Sequence, residues 1–488
     1  MKQIFMFVDW LGNSVIWGPP MILALLTFGV YITVRTGFFQ VTRVKLIFNE
    51  TVRSLFKSKP IKKTNSGSIT QFQAITTALA ATIGTGNIAG VASAITLGGP
   101  GAVFWMWISA FFGMMTAFAE NVLGIFYRER SKNGEWSGGA MYYLQNGLGR
   151  KKGCKRLASF LALSFSVFCI LAAFGMGDMT QINTVSGVLK NSLKPILNVS
   201  IPPLITGVIA ALLLIFITFG GVKRIGRVTE KLVPLMAGLY IVGTALIFLI
   251  NIDSAPQVFL AIFKGAFGID SVAGGITGIA IKKAVDMGFR RGVFSNEAGL
   301  GSSVIVHSAS DVKEPVVQGM WGIFTVFFDT IFGCSLTAFA ILSSGVVDLK
   351  SGASISGAKG AELVAEAFGS TLNEYAGLFI AVSTVFFAFS TVIGWSFYGQ
   401  KAVEFIFDKT GITVYRLMFS AMAIFGAVAE LDFIWKLSDI FNGLMAIPNL
   451  IGIFCLSGEV IMITKNYLSR KIYNKDYIIP LLSFNDKQ

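Results

Sequence analysis

The chain has 488 residues, 54% hydrophobic and only 14% charged, against about 25% charged in ordinary soluble domains, so the composition excludes an ordinary soluble fold. Lys and Arg (40) outnumber Asp and Glu (26) for a net charge of +14, an excess to be tested first as a loop bias across a membrane rather than as a nucleic-acid surface. One His and four scattered cysteines (Cys154, Cys169, Cys334, Cys455) exclude a disulfide scaffold and argue against a zinc site.

A membrane-spanning helix needs about 20 mostly apolar residues. Residues 10–34 carry no charge, and one upstream Lys without an early small-residue cleavage site predicts a retained helix instead of a signal peptide. Residues 64–119 are uncharged and long enough for two helices, divided by Gly98-Gly99-Pro100-Gly101. Uncharged runs at 157–177, 195–222, 232–252, 375–400 and 440–458 predict one span each. Weaker spans fall near 315–347, which holds Asp329, and near 414–429. A Gly-rich stretch at 274–310 predicts an irregular one. The sum is an all-α polytopic bundle of about eleven spans.

Basic loops orient it. Arg35, Arg43, Lys45, Arg53, Lys57, Lys59, Lys62 and Lys63 follow the first span. Arg128, Arg130, Lys132, Arg150 to Lys152, Lys155 and Arg156 follow the third. Lys223, Arg224, Arg227 and Lys231 follow the fifth, and Lys465, Arg470, Lys471 and Lys475 follow the last. All share one side if the N-terminus is outside and the C-terminus is cytoplasmic. Lys282, Lys283, Arg290 and Arg291 fall on the outer side, where the rule predicts few cations; they read as an outer amphipathic segment. Loops of at most about 30 residues are too short for a further domain.

Two spans are interrupted by glycine, at 84–90 and 296–301. They lie five spans apart and so run in opposite directions, the pattern of inverted repeats around a midplane site. A break around Gly84, Thr85, Gly86 and Asn87 frees backbone groups that are tolerable in lipid only where they line a cavity. N–H groups opening the second half receive a carboxylate, and carbonyls ending the first half receive a cation. The competing reading is Gly86-xxx-Gly90 helix packing. Glu297, beside Gly299 and Gly301, reads either as a cavity carboxylate or, preferentially, as a cap paired with Arg290 or Arg291. Asp178 and Gln181 lie one turn apart near the end of the fourth span, where Gln181 can serve either end of a zwitterion or join helices. Asp329, inside a span, is a functional candidate or the partner of a buried cation. Ser390 and Thr391 present hydroxyls suited to sodium, or bond back to the preceding turn. Trp395 lies one turn further on the same face, and His307 reads as a packed residue.

Residues 98–113, GGPGAVFWMWISAFFG, resemble the signature of the alanine or glycine:cation symporters. Gly84 to Asn87, 134–143 (GEWSGGAMYY) and 294–301 (FSNEAGLG) are similar to the same family, and the likeness runs over about residues 15–460. The resemblance implies a leucine-transporter-type fold, with two inverted five-helix repeats (about 64–252 and 270–460) in a core at 64–460. Before the core come an N-terminal helix and basic linker at 1–63, and after it a cytoplasmic tail at 461–488. It implies sodium- or proton-coupled import of a small neutral amino acid across a bacterial plasma membrane, with no cofactor beyond the co-transported ion and no nucleic acid partner. Thr85, Gly86, Asn87, Gln181, Thr391 and Trp395 would hold the substrate, and Ala80, Ile83, Phe387, Ser390 and Thr391 the sodium. Asp178, Glu297 and Asp329 are the coupling candidates; an uncharged Asn is expected at Asp178. A proton-coupled symporter is the first alternative, and a substrate-gated channel or sensor the second. No catalytic triad, metal cluster or phosphate loop points to an enzyme.

Overall fold

A computed structural model describes residues 10–57, 69–130, 136–192, 201–268, 274–373, 375–475 and 477–483. Lys59, Lys62, Lys63 and Lys132 of the basic loops, and residues 193–200 of one outer loop, lie outside the described residues.

Helix α1, Pro19–Arg35, starts on two prolines, whose fixed φ suits a first turn. Helix α2, Gln71–Thr82, opens on a capping box: the Thr70 hydroxyl accepts from the Gln73 N–H at 3.2 Å, and the Gln73 side chain accepts from the Thr70 N–H at 3.3 Å. It stops at Ile83, whose ψ of 95° is extended, and resumes as α3, Gly86–Gly98, bent by 44°. Gly99, at φ +74°, makes the reversal, and Pro100 precedes α4, Gly101–Phe126. That turn falls where the sequence predicts it.

Helix α5, Lys155–Lys190, is one span of 36 residues. The uncharged run at 157–177 underestimates it because Asp178 does not end it; a π-helical segment, Ala173–Met179, carries the carboxyl through the interior. Helices α6 (Pro203–Thr218) and α7 (Gly221–Ile250) follow. The predicted loop cations Lys223, Arg224, Arg227 and Lys231 are the first turns of α7, since long basic side chains extend from a helix end to water. Next come α8 (Ala255–Phe267), α9 (Gly274–Asn296) and the short α10 (Val304–Ser308). Between α9 and α10, Glu297 (φ 60°), Gly299 (φ 89°) and Gly301 (φ 74°) take left-handed backbone, a genuine second break. Helix α11, Pro315–Ser343, contains a second long π-helical segment, Phe327–Cys334. The chain then forms α12 (Gly360–Leu372), α13 (Tyr375–Phe407), α14 (Ile412–Val428) and α15 (Leu431–Lys471). Helix α15 extends beyond both ends of the run predicted at 440–458, and Pro448 lies inside it.

Among the described residues six helices are long and apolar enough to cross a membrane, and the bent pair α2–α3 makes a seventh span. The expectation of about eleven adds the shorter apolar α1, α6 and α14 and the Gly-rich α9. Helix α4 packs along α9 and α11, whereas α5 packs against α13, α14 and α15, and α6 against α14. The broken α2–α3 is held between these two groups by α13 and α9. Leu204, Ile209, Leu212 and Phe216 on α6, with Leu235, Val242 and Leu249 on α7, remain exposed, as lipid-facing side chains should.

Candidate functional site

The first break brings the predicted cation ligands together. Thr391 Oγ1, on α13, lies 3.0 Å from the Ala80 carbonyl oxygen and 3.4 Å from that of Ile83. Ser390 Oγ lies 3.3 Å from the same Ala80 oxygen and 2.8 Å from the Phe387 carbonyl. Both hydroxyls therefore reach across to another helix, and Ser390 also bonds back within its own. Two carbonyls of α2 are free to accept because the ladder ends at Ile83. The result is five buried hard oxygens, a donor set that suits an alkali cation once the hydroxyl hydrogens rotate away.

A Cβ at Gly84 would overlap Thr391 Oγ1 and come 3.3 Å from Gln181 Oε1. Only glycine lets the three helices meet there. Next to it the Gly84 N–H donates to Asn87 Oδ1 at 3.0 Å, and the Thr85 N–H donates to Gln181 Oε1 at 3.2 Å. Gln181 Nε2 donates to the Met176 carbonyl at 3.0 Å. Gln181 thus occupies an amide N–H at the start of the second half-helix, a place a carboxylate can take. Trp395 closes one side: it is fully buried, its ring meets Gly177 with no room for a Cβ, and it packs edge-on to Tyr398 at 5.3 Å. Thr85, Gly86, Asn87, Gln181, Thr391 and Trp395 therefore converge on one region.

The three coupling candidates part company. Asp329 is fully buried and, among the described residues, has no cation partner in its hydrogen-bond shell. Instead Asn87 Nδ2 and Ser295 Oγ each donate to it at 2.8 Å, and Thr330 Oγ1 donates at 2.7 Å. It ties both breaks to the π-helical segment of α11. Glu297 does not pair with the neighbouring arginines, contrary to the preferred sequence reading. Its left-handed backbone turns the carboxylate inward, where Ser302 Oγ donates to it at 2.6 Å. Across the break Glu120 accepts from the Gly301 N–H at 3.1 Å and from Asn449 Nδ2 at 2.6 Å. Asp178 is buried with neither oxygen hydrogen bonded among the described residues, and it lies in mid-helix instead of near a helix end. His307 is packed as predicted, its Nδ1 2.5 Å from Gln318 Nε2.

The structure also accounts for the misplaced cations. Lys282 and Lys283 are exposed, but Arg290 and Arg291 are buried on α9. Arg291 pairs with Asp439 of α15 at 2.5 Å and lies 4.7 Å over the Trp435 ring, while Arg290 donates to the Trp17 carbonyl at 3.3 Å. Phe294 stacks on Trp435 at 4.8 Å and comes within 3.4 Å of where a Gly86 Cβ would be. Above this layer opens a cavity of about 700 Å³ lined by Ser93, Asn183, Thr184, Arg291, Trp435 and Asp439, among others. Sequence reasoning missed Trp435 and Asp439. The one available signal was a carboxylate at the edge of an apolar run.

The sodium:alanine symporter family model matches residues 1–479. The chain is 42% identical over 455 residues to the sodium/alanine symporter AgcS of Methanococcus maripaludis, covering 93% of this chain and 95% of the relative. It is 37% identical to the probable sodium/glutamine symporter GlnT of Bacillus subtilis, covering 98% and 93%, and 34% identical to the putative sodium/proton-dependent alanine carrier YrbD of that organism, covering 96% and 93%. In fold it is similar to MhsT, solved with L-phenylalanine, at a TM-score of 0.55 and 15% identity over 86% of this chain and 96% of that one. With two broken helices, an oxygen cluster at one of them and matches over nearly its full length, the chain is a cation-coupled amino-acid symporter of leucine-transporter-type fold, and it belongs to the sodium:alanine symporter family.

Proposed function

We propose that this chain imports a small neutral amino acid, alanine or glycine, with sodium across a bacterial plasma membrane, its N-terminus outside and its C-terminus in the cytoplasm. The supporting observation is the meeting of the Ala80, Ile83 and Phe387 carbonyls with the Ser390 and Thr391 hydroxyls, beside a helix break that exposes peptide N–H groups. Sodium takes the oxygens and draws α2 to α13. The substrate carboxylate takes the N–H groups of Thr85 and Gly86 after Gln181 swings away, and its small side chain faces Trp395. The layer of Phe294, Trp435 and the Arg291–Asp439 pair then separates the site from the 700 Å³ cavity. The halves at 64–252 and 270–460 act as inverted repeats that rock to open the other side.

The driving force is adequate. One positive charge crossing 100 mV releases about 2.3 kcal/mol, which supports roughly fifty-fold accumulation of a zwitterion that itself feels no voltage. Radiolabelled alanine and glycine uptake into proteoliposomes tests the proposal. Accumulation is expected under an inward sodium gradient and is lost when choline replaces sodium. Undiminished uptake in choline would refute sodium coupling.

A further inference from the structure

Asp178 is the most exposed problem in the electrostatics of the bundle, although it is itself fully buried. Neither carboxyl oxygen has a hydrogen-bond partner among the described residues. It sits in the π-helical segment Ala173–Met179 of α5, and such segments recur at functional positions because they turn one side chain out of helical register. Among the described residues, the elements around this segment bring no hydrogen-bonding cation to it. From α14, Tyr415 is the titratable group within its electrostatic reach, and Tyr415 stacks on Phe174 of the same segment at 5.6 Å. From α13, Trp395 covers Gly177, and Tyr398 packs behind it. From α15, Ser438 and Phe441 cover Gly175. Of the basic groups on the packed helices, Arg291 is committed to Asp439, one residue beyond Ser438, Arg416 donates to Gln400 at 3.0 Å, and Lys436 of α15 stands at the cavity wall.

An ionised carboxylate in that setting has lost its water and gained nothing in return, a cost of several kcal/mol. A positive charge must therefore accompany it through the membrane. A metal ion needs several oxygen ligands, and no hydroxyl or amide donor among the described residues touches this carboxyl; the hydroxyls that suit sodium are at Ser390 and Thr391. A proton needs a single lone pair. The nearest cavity wall on the same helix is at Asn183 and Thr184. Asn183 is five residues, about 7.5 Å, along the axis from Asp178. Between them the Thr184 hydroxyl donates to the Thr180 carbonyl at 2.8 Å, and the Thr180 hydroxyl meets that of Ser438 at 2.7 Å.

We propose that Asp178 is a proton-binding site in the transport cycle, so that a proton travels with sodium and the amino acid. Water in the outer cavity gives a proton to the carboxylate, one O–H bond forming as one in hydronium breaks. The neutral acid crosses with the loaded site. When the inner side opens, the acid returns that proton to cytoplasmic water. Each turnover then moves a sodium and a proton with one neutral amino acid. This inference rests on the symport function proposed above.

The test is proteoliposomes loaded with a pH-sensitive dye, with an inward sodium gradient and the voltage clamped. External alanine should acidify the lumen by about one proton per alanine accumulated. Uptake should fall as external pH rises, because the carboxylate is then loaded less often. D178N, carrying a neutral amide, should abolish the acidification and flatten the pH profile of whatever uptake remains, and D178E should restore part of both. Alanine accumulation by the native protein without acidification overturns the proton step and leaves sodium symport standing. Acidification that persists in D178N overturns the assignment to Asp178. Absence of alanine accumulation in the native protein overturns both readings. If D178N does not insert, the native protein's proton flux and the D178E profile decide the question.

Discussion

Trp395 meets Gly177 beside the proposed substrate pocket, and in that reading the pair sets the pocket's size. The indole is wedged against a position where a Cβ does not fit, so it cannot retreat. Trp395→Leu should open the pocket and let larger neutral amino acids compete with labelled alanine; an unchanged competition profile would remove Trp395 from the pocket. Thr391 tests the ion site in the same way. Its hydroxyl lies within 3.4 Å of both freed carbonyls of α2, and Thr391→Ala removes one ligand without adding bulk. Loss of about 1.4 kcal/mol of ion binding raises the half-saturating sodium concentration about tenfold, read from alanine uptake against sodium concentration. An unaltered sodium curve would place the ion elsewhere. Both residues were legible in the sequence because polar or bulky side chains one turn apart in an apolar helix define a face. What Thr391 faces could be named only through the family resemblance and not from the residues themselves, because its carbonyl partner Ala80 is 311 residues away.

At the scale of elements, the two broken helices differ in how they were readable. The first announces itself through Gly84, Gly86 and Asn87, since glycine weakens a helix locally. The second was placed correctly by Gly299 and Gly301, yet the role of Glu297 was misjudged. Nearness in sequence to Arg290 and Arg291 suggested a pair, whereas the left-handed backbone at Glu297 points it to Ser302 and leaves Arg291 to Asp439. That ion pair joins α9 to α15 at the wall of the 700 Å³ cavity, so it should control closure of the layer above Gly86. Asp439→Ala should slow uptake and leave Arg291 without its carboxylate, a loss worth about 3–5 kcal/mol when a buried pair is broken. Exchange of the two residues, R291D with D439R, should recover part of the rate. A doubly exchanged protein no faster than either single variant would show that the pair has no joint role.

Across the whole molecule, the 700 Å³ cavity and the basic loop before α5 lie at opposite ends of that helix. The cavity is lined by Ser354, Gly357 and Gly360, with Lys359 and Lys436 also at its wall, whereas Lys151, Lys152 and Lys155 are at the other end of α5. In a variant lacking the four native cysteines, a membrane-impermeant thiol reagent should label Ser356→Cys in intact cells and label Gly153→Cys only after permeabilisation. Both positions are exposed, so the reverse pattern would invert the proposed orientation. The misfit of Arg290 and Arg291 with the charge rule disappears at this scale. They are interior residues bound to Asp439 and to the Trp17 carbonyl, and a rule about loop charges does not apply to them.

Amino-acid order alone determined that the chain resides in a membrane, where its spans begin and end to within a few turns, and where two of them break. Those properties depend on hydropathy and backbone freedom, both local to a stretch of chain. Packing decided the rest: that Asp329 is held by Asn87 and Ser295 from both breaks, that α15 supplies a carboxylate to Arg291, and that Asp178 has neighbours but no hydrogen bond among the described residues. In a bilayer, burial and pairing are set by which helices lie side by side, and residues hundreds of positions apart acquire their chemistry only when the bundle closes.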